Sequence, residues 1–163
     1  MSTAPASYAK ADISVLLEAI AGNTLDATLA NGVTAAQWDV LAAYMQPMDI
    51  AAGRMLISQG AEDRTLYFVE SGMLTVHFED ASGKIRLAAV GAGTVVGEGG
   101  FFSRMARSAS VQAGSACRLW TLSPMRFSEL ANRQPTVALA LAMALGAIMA
   151  RRLVSNRKRI AVT

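Results

Sequence analysis

From residue 48 to residue 122 the chain breaks into short apolar segments separated by glycine, and this pattern limits the fold more than any other feature. Residues 54–58, 66–70, 74–79, 85–90, 108–112 and 118–122 read as strands, each a short run bounded by turn residues. Asp80-Ala81-Ser82-Gly83 joins two of them as a hairpin loop, and Gly91-Ala92-Gly93 starts a further turn. Many short strands with regular turns predict an antiparallel sandwich or barrel.

Helical patterns flank this region. Residues 1–11 are small and polar and are expected to be loose. Asp12 is placed to cap a helix whose Ile13, Leu16, Leu17 and Ile20 fall on one face, ending near Gly22-Asn23. Leu25 and Leu29 continue a second short turn before Asn31-Gly32. Thr34 and Gln37 then make a capping box for a helix lined by Trp38, Leu41 and Tyr44 or Met45. After the strands, Ser123-Pro124 starts a helix with Phe127 and Leu130 on one face, and Arg133-Gln134-Pro135 ends it. The last helix is expected from Thr136 to about Arg159. Leu141, Leu145 and Ile148 form one stripe, and the small Ala138, Ala142, Gly146 and Ala150 form another that permits close helix approach and a homodimer. The chain therefore divides into a helical segment (1–44), a β domain (45–134) and a terminal helix with a basic tail (135–163).

Composition excludes several classes. The net charge is +3, but Arg151, Arg152, Arg157, Lys158 and Arg159 contribute +5, which leaves about −2 for the rest. This is a mildly acidic domain with a basic tail, not a nucleic-acid-binding surface. The single Cys117 rules out an internal disulfide framework and fits a reducing, cytoplasmic setting. The amino terminus lacks the basic start and apolar run of a signal peptide. The longest uncharged apolar stretch, residues 137–150, is shorter than the roughly 20 residues of a membrane span. His77 stands alone in an alternating strand, so no histidine cluster for a metal is offered. Cys117 lacks a triad partner and Glu98 a paired carboxylate, so no enzyme is expected and no cofactor or metal is required.

The candidate site is the stretch from Val96 to Val111. Gly97, Gly99 and Gly100 surround Glu98, and Arg107-Ser108-Ala109 follows nine residues after the acid. Glycine admits close backbone approach and unusual dihedral angles. Successive backbone N–H groups in such a turn make a concave anion site, and an arginine adds a fork that matches phosphate oxygens. A glutamate repels phosphate but accepts from hydroxyls, as a ribose supplies. A loop that reads both suggests a nucleotide. The plainer reading is a structural turn closed by a Glu98–Arg107 salt bridge.

Gly97-Glu98, Phe101-Phe102 and Arg107-Ser108-Ala109 together resemble the phosphate-binding cassette of the cyclic nucleotide-binding domain family. Upstream, Gly53, Leu56, Gly60 and residues 66–72 look like that family's first strands. The resemblance covers about two thirds of the chain and implies a β jelly roll with flanking helices. It further implies that Glu98 accepts from the ribose 2′-hydroxyl and that Arg107 pairs with the cyclic phosphate. Amides near Gly99, Gly100 and Ser108 complete the phosphate site, and the Ser108 hydroxyl adds a phosphate or purine contact. Phe101 or Phe102 anchors the cassette. Two positions depart from the family pattern: Gly99 replaces a bulky aliphatic residue, and no proline precedes Arg107. A lid over the base would come from the terminal helix, with Met143, Leu145, Met149, Arg151 and Arg152 as the groups on offer.

The implied function is a regulatory sensor of cyclic nucleotide, cAMP rather than cGMP, whose ligand moves the terminal helix toward a second copy or an unknown protein partner. The start at Met1 and the few residues after Arg159 are read as a stand-alone protein without a DNA-binding domain. The alternatives are a degenerate jelly roll that binds no nucleotide, or a fragment of a catabolite-activator-type regulator or channel.

Overall fold

The computed structural model describes residues 12–26, 28–83 and 85–161; residues 1–11 lie outside it. Three short helices come first: α1 (Ser14–Gly22), α2 (Thr28–Gly32) and α3 (Ala35–Leu41), the last running into a 3-10 turn at Ala42–Tyr44. Strands β1 (Gln46–Ile50), β2 (Met55–Ile57), β3 (Leu66–Ser71), β4 (Leu74–Glu79), β5 (Ile85–Val90) and β6 (Val95–Val96) follow. A short helix, α4 (Glu98–Ser103), precedes β7 (Ser110–Ala113) and β8 (Cys117–Leu122). Helices α5 (Pro124–Arg133) and α6 (Pro135–Ala161) close the fold. The strands form two four-stranded antiparallel sheets, ordered β1-β8-β3-β6 and β2-β7-β4-β5. This is the jelly roll with flanking helices anticipated from the sequence.

Strands β4 and β5 lie where the alternation put them and pair from Leu74–Val90 to Glu79–Ile85. Their turn is closed by the Gly83 N–H donating to the Asp80 carbonyl at 3.0 Å, while the Asp80 carboxylate accepts from the Ser82 N–H at 2.9 Å. Strand β1 was not foreseen, because Pro47 and Asp49 break any apolar pattern. It survives as an edge strand paired only with β8, where a proline leaves just an outward N–H missing. Strand β6 has two residues and carries no pattern of its own, and β7 starts at Ser110 rather than 108.

The first sheet is covered on both faces, which explains the unbroken apolar start of β3. Leu66 and Phe68, with Trp120 and Leu122 of β8, face the helices. Tyr67 and Val69, with Cys117 and Leu119, face the second sheet and meet Ile57, Leu74 and Val111. The helical layer adds Ile13, Leu16, Ile20, Trp38, Leu41, Leu141, Leu145 and Ile148, all buried. Each such aliphatic side chain contributes about 1.5–3 kcal/mol on burial. Trp38 meets Phe68 edge-on at 5.5 Å.

Most helix boundaries follow their caps. At α1 the expectation fails by one residue: the N-cap is Ile13, with no side-chain cap bond, and Asp12 before it accepts from the Ser14 N–H at 2.9 Å, which holds its carboxyl below the usual range. The Thr34–Gln37 capping box is present, and Ser123 accepts from the Arg126 N–H with Pro124 at the first position. Leu29 is buried, but Leu25 is fully exposed and belongs to the turn, not to a packed face.

Helix α6 buries Val137, Ala138, Leu141, Ala144, Leu145 and Ile148. The expected small-residue stripe is not one face. Residues four apart drift about 40° per step on a helix, so Ala138 is buried while Gly146 and Ala150 are exposed. The exposed apolar face instead runs Leu139, Met143, Gly146, Ala150, Leu153, at steps of four and three. Residues 135–155 reach the length and mean hydropathy (1.8) of a membrane span, beyond what the uncharged stretch alone suggested. Here one side of that segment is core of the domain, and Arg151 and Arg152 at its end are ion-paired.

Candidate ligand site

The site forms where β6 leaves the first sheet. Gly97 turns the chain in the left-handed region, at φ 87°, and α4 starts there without a side-chain cap. A Cβ on Gly97 would lie 2.8 Å from the Thr65 carbonyl oxygen and 2.9 Å from Arg107 Nη1. Only glycine lets backbone, loop and guanidinium meet this closely. At Gly100 a Cβ would sit 3.0 Å from the same Nη1, so Arg107 lies along the first turn of α4. Gly99 faces open space.

Arg107 is 4% exposed. Its main chain is held on both sides: its N–H donates to the Ala61 carbonyl at 2.7 Å, and its carbonyl accepts from the Gly60 N–H at 2.8 Å. Nη1 donates to the Gly97 carbonyl at 2.8 Å. Nη2 donates to the Asp63 carboxylate and the Thr65 carbonyl, each at 2.7 Å. Nε is buried and has no acceptor among the described residues. A buried donor of this kind costs about 1–3 kcal/mol, more on a charged group, unless a further acceptor reaches it.

Glu98, its side chain 15% exposed, pairs with Arg152 of α6. Arg152 also donates to the Val95 carbonyl at 2.8 Å and the Thr94 hydroxyl at 3.2 Å. Glu98 and Arg107 thus take different partners, which removes the reading of a salt bridge between them. Arg152, one of the groups on offer as a lid over the base, is thus engaged with the cassette itself. Its neighbour Arg151 reaches the other way, to Asp26, at 3.2 Å. Phe101 is the anchor of the cassette: it is buried and stacks edge-on with Phe127 at 5.2 Å, whereas Phe102 is 39% exposed. Ser108 is exposed and Ala109 half-buried.

Two groups at the site escaped the sequence reading, and a third, Arg152, was named there only as a possible lid over the base. Asp63 and the Thr65 carbonyl, over forty residues from Arg107, hold its guanidinium, and Arg152 arrives from a helix 54 residues beyond Glu98. Tyr67 lies beside this network. Burial first, then the charge of Asp63, raises its phenol above the ordinary 10.0, and Arg107 opposes the rise. His77 is a strand residue opposite Leu87 and Ser110. The buried Cys117 thiol donates to the Met73 and Ser115 carbonyls at 3.4 and 3.3 Å.

The jelly roll thus carries a glycine turn packed on a buried, partly unsatisfied arginine, with a terminal helix bonded to the adjacent acid. More narrowly, residues 47–134 match the family model of the cyclic nucleotide-binding domain, and the chain belongs to that family. It is 35% identical over 107 residues to the cAMP-activated global transcriptional regulator CRP of Escherichia coli, covering 64% of this chain and 49% of that one. It is 34% identical over 109 residues to Glutaminase 2 of Bradyrhizobium diazoefficiens, covering 67% of this chain and 17% of that one. The chain thus spans half or less of the length of these curated relatives. A crystal structure of a cyclic nucleotide-binding domain from Methylobacillus flagellatus superposes with a TM-score of 0.77 at 22% identity, covering 90% of this chain and 81% of that one.

Proposed function

We propose that this protein is a sensor that binds a 3′,5′-cyclic nucleotide, cAMP in preference to cGMP, and transmits binding through α6. The observation that carries the reading is the buried Arg107 with a free Nε beside the Gly97–Gly100 turn. In this reading the cyclic phosphate accepts from Arg107 and from amides near Gly99, Gly100 and Ser108, and the ribose 2′-hydroxyl donates to Glu98. The preference for cAMP follows the cAMP-activated relative. The role is regulatory rather than catalytic, in the cytoplasm, with no metal or cofactor used.

The output is a second copy or another protein on α6. Leu139, Met143, Gly146, Ala150 and Leu153 repeat at coiled-coil spacing on its exposed side. This supports pairing of two α6 helices.

One observation favours a second reading. Both terminal nitrogens of Arg107 are already held by Gly97, Asp63 and Thr65. A degenerate domain would keep that network purely as a structural tie. Calorimetric titration of cAMP and cGMP into the wild type and Arg107→Lys decides between them, with melting curves as the folding control. Micromolar or tighter binding, weakened at least tenfold by Arg107→Lys, supports the sensor. No heat with either nucleotide at millimolar concentration leaves the structural tie.

A further inference from the structure

We propose that Arg152 competes with the ligand for Glu98, so that α6 is latched to the cassette until a ligand hydroxyl takes the carboxylate from it. This rests on the sensor reading of the site and names its regulation.

All three acceptors of Arg152 — the Glu98 carboxylate, the Val95 carbonyl and the Thr94 hydroxyl — lie on the one segment that enters α4. The guanidinium therefore docks as a unit, not as a stray surface charge. The Glu98 side chain is 15% exposed and that of Arg152 37%, so solvent screens the pair in part. Chemically, the guanidinium offers Glu98 what a sugar hydroxyl offers, an N–H or O–H donor at the carboxylate, but with a positive charge added. A neutral hydroxyl that takes over this acceptor gives up the charge term, and Arg152 loses the group that ties the far end of α6 to the cassette. Arg151, held by Asp26, keeps that helix end near the N-terminal helices meanwhile.

The test has a binding arm and a ligand-free arm, each applied to wild type, Arg152→Ala and Arg152→Gln. Competition means that both variants bind cAMP more tightly, about three- to fivefold for an ion pair of this exposure. They bind 2′-deoxy-cAMP, which has no hydroxyl to compete, within about twofold of wild type. In the ligand-free proteins, amide hydrogen exchange over residues 149–155 accelerates on the order of tenfold in either variant and in Glu98→Gln. Weaker cAMP binding by the Arg152 variants overturns the proposal, because Arg152 then supports the ligand. Equal gains for cAMP and its 2′-deoxy analogue overturn it as well, and so does unchanged exchange. If no protein in the set binds nucleotide, the sensor reading fails, and the exchange arm alone decides whether the latch exists.

Discussion

Two neighbouring glycines of the cassette should respond to the same substitution with opposite signs. At Gly97 the backbone sits at φ 87°, where an L side chain costs about 1–2 kcal/mol. An added Cβ would also lie 2.8 Å from the Thr65 oxygen, a backbone atom that cannot swing aside. Its other neighbour, Arg107 Nη1 at 2.9 Å, must retreat, and with it goes the bond to the Gly97 carbonyl, worth about 1.5–3 kcal/mol as a charged hydrogen bond. Gly97→Ala is thus expected to destabilise by about 3–5 kcal/mol, which in a domain of this size lowers Tm by roughly 8–15 °C. Gly99 is helical and open, and a methyl group added there would meet nothing within 4 Å. Gly99→Ala should therefore stabilise by about 0.5–1 kcal/mol through backbone entropy alone, raising Tm by about 2–3 °C. Urea unfolding with a common slope, checked by thermal melts, measures both. A loss under about 1 kcal/mol at Gly97, or any loss at Gly99, would falsify the account of how the turn is built.

Three further outcomes follow from the same geometry. Arg104 ends α4 in the left-handed region at φ 57°, so Arg104→Gly should raise stability by about 0.5–1 kcal/mol, read by urea titration. The raised Tyr67 phenol stabilises the fold while both states are neutral, and this is lost as pH climbs past about 10, where the unfolded chain ionises first. Melts between pH 8 and 11 should fall more steeply for wild type than for Tyr67→Phe. Met143, 68% exposed on the heptad face of α6, should tolerate Met143→Glu with little change in Tm, while sedimentation equilibrium shows a wild-type dimer dissociating; a dimer unmoved by the charge would place the interface elsewhere.

Much of the β framework could be read from residue order, because hydrophobic alternation and glycine punctuation are local properties. Residues 74–79 and 85–90 came out with their boundaries intact for that reason. Strand β1 was hidden because its partner β8, more than 60 residues away, and not its own composition, makes Gln46–Ile50 a strand. The cassette was legible for a similar reason: Gly97, Glu98 and Arg107 lie within one loop. What holds them was not. Asp63 and Arg152 are ordinary surface-type charges until the fold carries one against Arg107 and the other against Glu98. The heptad on α6 was present in the sequence but masked by the alanines four apart, whose spacing looked like a face and drifts around the helix instead.

The first sheet acts as a partition one strand thick. In β3, Leu66 and Phe68 belong to the helical layer, while the Thr65 carbonyl just before them grips Arg107 and Tyr67 between them faces the other sheet. Residues adjacent along the chain thus stand in two separate compartments. A substitution in β3 therefore acts on the helical layer or on the layer between the sheets according to which of two adjacent residues it falls on.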